Sequence, residues 1–227
     1  MDRVQTIELK ETILENNDAD AELLREELRK QGLLYINIMS SPGSGKTSVL
    51  LQTVKALKED CRIGVMEADI DSAVDAETIM REGGVPAVQL HTGGMCHLDA
   101  AMSRQGLAAM EAEQKKNSDS PLDLVFLENV GNLVCPAEFD TGSHLNVAIL
   151  SITEGHDKPL KYPLMFELCD AVLINKIDAA PICDFDFEAA KQYILKRNPN
   201  ARIFPLSAKT GEGVADWTAW LKLKMEG

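Results

Sequence analysis

Seven residues, Ser41-Pro42-Gly43-Ser44-Gly45-Lys46-Thr47, follow the apolar run 33–39. A strand that enters a glycine-rich turn and then a helix aims several backbone N–H groups at one point, with the positive end of the helix dipole behind them. Phosphate belongs at that point. The Lys46 ammonium would reach the β- and γ-phosphates, and the Thr47 hydroxyl is placed to ligate Mg²⁺. Gly43, Ser44, Gly45 and Ser48 complete the expected phosphate-binding set. Ser40 stands where the pattern G-x-x-x-x-G-K-[ST] has its first glycine.

A second motif names the base. Asn175-Lys176-Ile177-Asp178 closes the apolar run 171–174, and the two Asp178 oxygens match the N1–H and exocyclic N2–H₂ donors of guanine. Adenine offers no such pair. Ser207-Ala208-Lys209, further along, would supply the Ala208 N–H to the guanine O6, and Gly211 and Gly213 let that loop close. Each segment alone can arise as a bland turn. Their order, each after an apolar run, points to GTP and GDP.

Short apolar runs at 33–39, 63–66, 87–90, 122–127, 147–152, 171–174 and 202–206 lack alternation, which suits strands buried on both faces. Amphipathic stretches at 47–59, 72–82, 98–116, 158–168, 186–196 and 214–225 lie between or after them. This is an α/β pattern, a mainly parallel sheet flanked by helices, with ligands expected beyond the carboxyl ends of the strands. Residues 33–227 read as one P-loop GTPase domain. Residues 1–32 read as an N-terminal helical arm, with helix over 8–31 interrupted at Asn16-Asn17-Asp18 and stopped by Gly32.

Carboxylates stand at two further strand ends. Glu67-Ala68-Asp69-Ile70-Asp71 and then Asp75 follow the second run, and Asp69 and Asp75 are candidates to hold Mg²⁺ or orient the attacking water. The fourth run ends in Glu128-Asn129-Val130-Gly131, where a GTPase switch ordinarily reads Asp-x-x-Gly. Glu128 keeps the charge with a longer reach, and the Gly131 N–H is placed to sense the γ-phosphate. No side chain is an obvious arginine finger, so hydrolysis is expected to be slow in isolation.

The 227 residues, 45% hydrophobic and 26% charged, suffice for one sizeable core. The 36 acidic against 23 basic residues give a net charge of −13, which opposes binding to nucleic acid or an anionic membrane. No apolar stretch approaches the roughly 18–20 residues of a membrane span, and the start Met-Asp-Arg-Val-Gln lacks the shape of a signal peptide. The cytoplasm is the expected compartment. Five widely spaced cysteines argue for reduced thiols rather than a disulfide framework.

Two of those cysteines stand out. Gly93-Gly94-Met95-Cys96-His97 opens the stretch after the third run, and Cys135 lies four residues beyond Gly131. Two thiolates and an imidazole suit Ni²⁺, Zn²⁺ or a similar borderline-soft cation. Cys61, Cys169 and Cys183 have no histidine neighbour and read as structural, and Asp157 is the expected partner of His156.

The segments Ser-Ser-Pro-Gly-Ser-Gly-Lys-Thr, Glu-Ala-Asp-Ile, Cys96-His97-Leu98-Asp99-Ala100, Glu-Asn-Val-Gly-Asn-Leu-Val-Cys-Pro, Asn-Lys-Ile-Asp and Ser-Ala-Lys occur in that order. Together they resemble the HypB family of hydrogenase nickel-incorporation GTPases over nearly the whole chain. The resemblance implies a SIMIBI-type P-loop GTPase that delivers nickel to the large subunit of [NiFe]-hydrogenase with a HypA-type metallochaperone. It implies metal binding by Cys96, His97 and Cys135, with GTP-dependent homodimerisation bringing two such sets together. The His-rich stretch and the N-terminal Cys-x-x-Cys-Gly-Cys motif of some members do not occur in this sequence, which disfavours a storage role. Two other readings compete. One is the urease accessory nickel GTPase, whose ligand motif is usually Cys-Pro-His. The other is a guanine-nucleotide switch with structural cysteines.

Overall fold

The computed structural model describes residues 4–8, 17–69 and 73–226. Eight parallel strands form one sheet: β1 (Gln5–Glu8), β2 (Leu34–Ser40), β3 (Ile63–Asp69), β4 (Ala87–His91), β5 (Leu124–Glu128), β6 (Leu145–Ser151), β7 (Ala171–Asn175) and β8 (Arg202–Pro205). Their order is β1-β4-β3-β5-β2-β6-β7-β8. The centre strand shows why the sheet is sandwiched. Ile36 and Ile38 of β2 enter one core, whereas Tyr35 and Met39 enter the cores on the other face, so both faces need cover.

On the first face lie α2 (Lys46–Leu57) and α9 (Val214–Glu226), through Val54, Leu57, Trp217 and Leu221. The Trp217 indole N–H donates to Thr53 Oγ1 at 3.0 Å, which satisfies its one polar atom inside the core. The opposite face is covered by α1 (Asn17–Lys30) and α4 (Ala100–Asn117) on one half. On the other half lie α7 (Pro163–Leu168) and α8 (Phe187–Arg197). The remaining helices are α3 (Val74–Thr78), α5 (Cys135–Glu138) and α6 (Lys158–Lys161). A π-helical turn, Ile79–Gly83, prolongs α3.

Several elements differ from expectation. The arm's helix spans Asn17–Lys30, and Gln5–Glu8 is instead a strand paired with β4 at the sheet edge. Residues 9–16 lie outside the described residues, as do Ile70 and Asp71. The helix expected over 158–168 is two short helices, because Pro163 cannot donate a backbone hydrogen bond to continue α6. Strand β5 starts at Leu124, past Pro121. Among the described residues no helix is long and apolar enough to cross a membrane.

Candidate functional site

The phosphate-binding turn sits between β2 and α2. Gly43 and Gly45 have φ of +73° and +97°, a region open to glycine, and Gly45 caps α2. A Cβ on Gly45 would come within 2.6 Å of Asn175 Nδ2. Ser40 accounts for the missing first glycine: its hydroxyl donates to the Ser41 carbonyl at 2.8 Å and accepts from Ser44 Oγ at 2.5 Å, pinning the turn from beneath. Ser48 is exposed in the first turn of α2.

The guanine segment closes onto this turn. Asn175 Nδ2 donates to the Ser44 carbonyl at 2.9 Å, and its Oδ1 accepts from Ala208 N at 3.1 Å. One buried amide thus ties the phosphate turn to the loop at residues 207–209. The Ala208 N–H expected to meet the base O6 is engaged by Asn175 here. Lys176, at φ +67°, lies over the turn, with Nζ donating to the Gly43 carbonyl at 2.7 Å. Ser207 Oγ donates to Asp178 Oδ1 at 2.6 Å and Lys209 Nζ stands 3.8 Å from its other oxygen. The Ser207 hydroxyl, aided by Lys209 and Lys176, holds the Asp178 carboxyl below its usual range. Asp178 is therefore ionised and able to accept.

Carboxylates gather on the other side of Thr47. Register places Glu67 of β3 opposite Glu128 of β5, and Thr47 Oγ1 donates to Glu128 Oε1 at 2.9 Å. One ligand atom each from Glu67, Asp75 and Glu128 lies within 4.8 Å of the other two. The Oε2 atoms of Glu67 and Glu128 are buried without a hydrogen-bond partner. Burial first, then the neighbouring Glu128 charge, pushes Glu67 up to about 9; burial pushes Glu128 up to about 7, against the opposing Lys46 charge. Buried oxygen ligands with nothing to accept from, beside a threonine hydroxyl, fit a hard divalent cation such as Mg²⁺. Asp69, the expected ligand, stands outside this group: it shares the face of Glu67 on β3, but the pairing with β5 ends at Glu67 and Asp69 falls past it, so Glu67 is the residue opposite Glu128. The Asp69 charge still raises both glutamates.

The switch glycine packs against the phosphate turn: a Cβ on Gly131 would meet Pro42 Cα at 3.2 Å. Just beyond it Asn132, which sequence reasoning missed, accepts from Val134 N and Cys135 N at 2.7 and 3.2 Å. Its Nδ2 lies 3.5 Å from Cys135 Sγ. The spacing Asn-x-x-Cys was a readable sign of such a turn.

Cys96 and Cys135 meet thiol to thiol, and that contact, then burial, raises Cys135 above the usual thiol range. His97 is placed differently from expectation. Its ring stacks on Phe139 with centroids 3.7 Å apart and 11° between planes, and the three side chains do not close into a common ligand group. A planar contact with a phenyl ring competes with ligation for the imidazole. All five cysteines are free. Asp157 pairs first with Lys161 at 2.5 Å and His156 Nδ1 accepts from Asp186 N at 3.3 Å, so the expected His156–Asp157 partnership is reduced to a lesser charge interaction.

Comparison with known proteins places the chain in a family. Residues 34–205 match the family model described as CobW/HypB/UreG, nucleotide-binding domain. The chain is 45% identical over 216 residues to a hydrogenase maturation factor HypB of Azotobacter vinelandii, covering 95% of this chain and 69% of that protein. It is 41% identical to a hydrogenase/urease maturation factor HypB of Helicobacter hepaticus, covering 93% and 85%. A crystal structure of HypB from Helicobacter pylori in complex with nickel superposes with a TM-score of 0.84 at 38% identity, covering 92% of this chain and 95% of that one.

Proposed function

This chain belongs to the HypB family of CobW/HypB/UreG nucleotide-binding proteins, and on that premise we propose that it is a GTPase that delivers nickel to [NiFe]-hydrogenase. The observation that carries this reading is the contact of the Cys96 thiol, from the loop after β4, with Cys135 on the segment that leaves Glu128 and Gly131. Lys46 and the turn at Gly43, Ser44, Gly45, Thr47 and Ser48 bind the phosphates, and Asp178, with Asn175, Lys176, Ser207, Ala208 and Lys209, selects guanine. Thr47, Glu128, Asp75 and Glu67 hold Mg²⁺, which when bound neutralises charge on the β- and γ-phosphates. Asp69 lies close enough to this group to order the attacking water. Gly131 senses the γ-phosphate against Pro42 and passes its position to Cys135.

Nickel is the cargo, with zinc as a competing occupant, and Cys96, His97 and Cys135 are its ligands once His97 leaves Phe139. Hydrolysis is slow in the isolated chain and waits on a GTP-dependent homodimer that joins two such sites. A HypA-type metallochaperone and the hydrogenase large subunit are the partners, and five free thiols suit the reducing cytoplasm.

The test is equilibrium dialysis with nickel and zinc in GDP and in a non-hydrolysable GTP analogue, on the parent and on Cys96→Ala/Cys135→Ala. Nickel bound equally by both proteins would leave the cysteines structural. The double name of the Helicobacter hepaticus relative supports a second reading, urease activation. Restoring hydrogenase or urease activity in cells lacking their own factor separates the two.

A further inference from the structure

The two segments that carry the thiols are fastened to one side chain of the N-terminal helix. Asn17, the first residue of α1, accepts from Ala100 N at 3.0 Å and donates through Nδ2 to the Asp140 carbonyl at 3.0 Å. Ala100 begins α4, three residues past His97, and Asp140 follows Phe139, the ring on which His97 stacks. Two turns along the same helix, Arg25 Nη2 grips both Asp140 carboxylate oxygens at 2.8 Å, and its Nε donates to the Ser143 carbonyl at 2.8 Å. His144 then locks the attachment: Nε2 donates to the Arg25 carbonyl at 3.0 Å while Nδ1 accepts from Tyr35 N at 3.0 Å. The loop lies flat on the helix, since a Cβ on Gly142 would fall 2.8 Å from Leu24 Cδ2.

These bonds divide the labour. Arg25 and Asp140 anchor the loop after Cys135 to α1, and Asn17 bridges that loop directly to the start of α4. The bridge sets the separation of the Cys96-His97 segment from the Cys135-Phe139 segment, which each thiol and the imidazole ride upon. At the ligands themselves these segments meet through the soft thiol contact and the ring stack, neither of which fixes a ligand to within the few tenths of an ångström that coordination demands.

We propose that Asn17 is a positioning residue for the Cys96/His97/Cys135 metal site, holding its two ligand segments in register from the N-terminal helix. This rests on the assignment of that site to nickel. Docking of α1 is then part of the metal site, and any event that lifts its first turn loosens the ligands without touching them.

The test is a nickel(II) titration of the full chain, followed by thiolate-to-nickel charge-transfer absorption, on the parent, Asn17→Ala, Asn17→Asp and Cys135→Ala. Asn17→Asp keeps the acceptor for Ala100 N but lacks the donor for Asp140. Both Asn17 variants should bind nickel at least fivefold more weakly with an altered absorption band at saturation, while GDP affinity stays within twofold of the parent. Asn17→Ala added to Cys135→Ala should change nickel binding no further. Parent-like affinity and absorption in Asn17→Asp would overturn the bridge, as would an equal fall in GDP affinity, which signals general loosening. If Cys135→Ala binds nickel as the parent does, the thiol site fails and this inference falls with it. If Cys135→Ala loses nickel and Asn17→Ala does not, this inference alone is overturned.

Discussion

Replacing Glu67 with glutamine should flatten the pH dependence of stability of the nucleotide-free protein. Glu67 and Glu128 are 3% and 2% exposed, oppose each other across β3 and β5, and are raised from 4.5 to about 9 and about 7. From about pH 5 to 7 the folded chain holds two protons that the unfolded chain has released. A proton bound in the native state and lost on unfolding makes stability fall as pH rises, by about 1.4 kcal/mol per pH unit for each group. The stabilisation is complete below 4.5 and disappears as the pH climbs through the folded values. Between about 7 and 9 only Glu67 contributes. Glu67→Gln removes one of the two contributions in the lower window and the whole of it in the upper. His144, which burial holds below its usual value, contributes a slope of the opposite sign that is the same in both proteins and cancels. Urea unfolding from about pH 5.5 to 8.5, without Mg²⁺ or nucleotide and with m-values compared, reads the two slopes. A parent and variant whose slopes agree across that range would refute the reasoning.

Asp178→Ala should weaken GTP and GDP at least tenfold, since a hydrogen bond to a charged group is worth about 1.5–3 kcal/mol; comparable affinity of the parent for ATP would sink the guanine assignment. Gly45→Ala should lower GDP affinity more than tenfold, because its methyl would displace the Asn175 amide that lies 2.6 Å away and joins both nucleotide loops. Isothermal titration that finds GDP binding intact in this variant would contradict it. Trp217→Ala should cost about 3–5 kcal/mol in urea unfolding, the usual toll of emptying a buried tryptophan site. A loss under 1 kcal/mol would place α9 outside the core.

Strands β2 to β7 were readable because burial on both faces leaves a largely apolar run, a local property of the sequence. The phosphate turn was readable for the same reason: its glycines act within a few residues. Strand β1 was not, since Gln5–Glu8 is four residues with polar ends and only pairing with β4 makes it a strand. The role of Glu67 was hidden more deeply. Its partner Glu128 is found by strand order and register, which no local pattern encodes. The same holds for Asn17, whose two partners lie 83 and 123 residues away. Ser40 was a visible departure from the motif whose compensation, the Ser44 hydroxyl, needed coordinates to be seen.

One stretch of chain joins the two chemistries. It begins at Glu128, bonded to the Thr47 hydroxyl, passes Asn129, whose N–H donates to the Ile38 carbonyl at 2.9 Å, and reaches Gly131 against Pro42. Four residues later it arrives at Cys135, at most roughly 13–14 Å on even if fully extended. Asn132 shortens that path by folding it into a turn in which its side-chain Oδ1 accepts from the Val134 and Cys135 N–H groups. On the proposed function, a γ-phosphate that drew Gly131 inward would therefore act through this hydrogen-bonded turn rather than a slack loop, with Cys96 at its far end. Linkage would make such a coupling reciprocal: whatever factor GTP applied to metal affinity, metal would apply to GTP affinity. The second glutamate of the carboxylate group sits at the start of this segment, so on the proposed function the cation site and the thiol site would lie at its two ends.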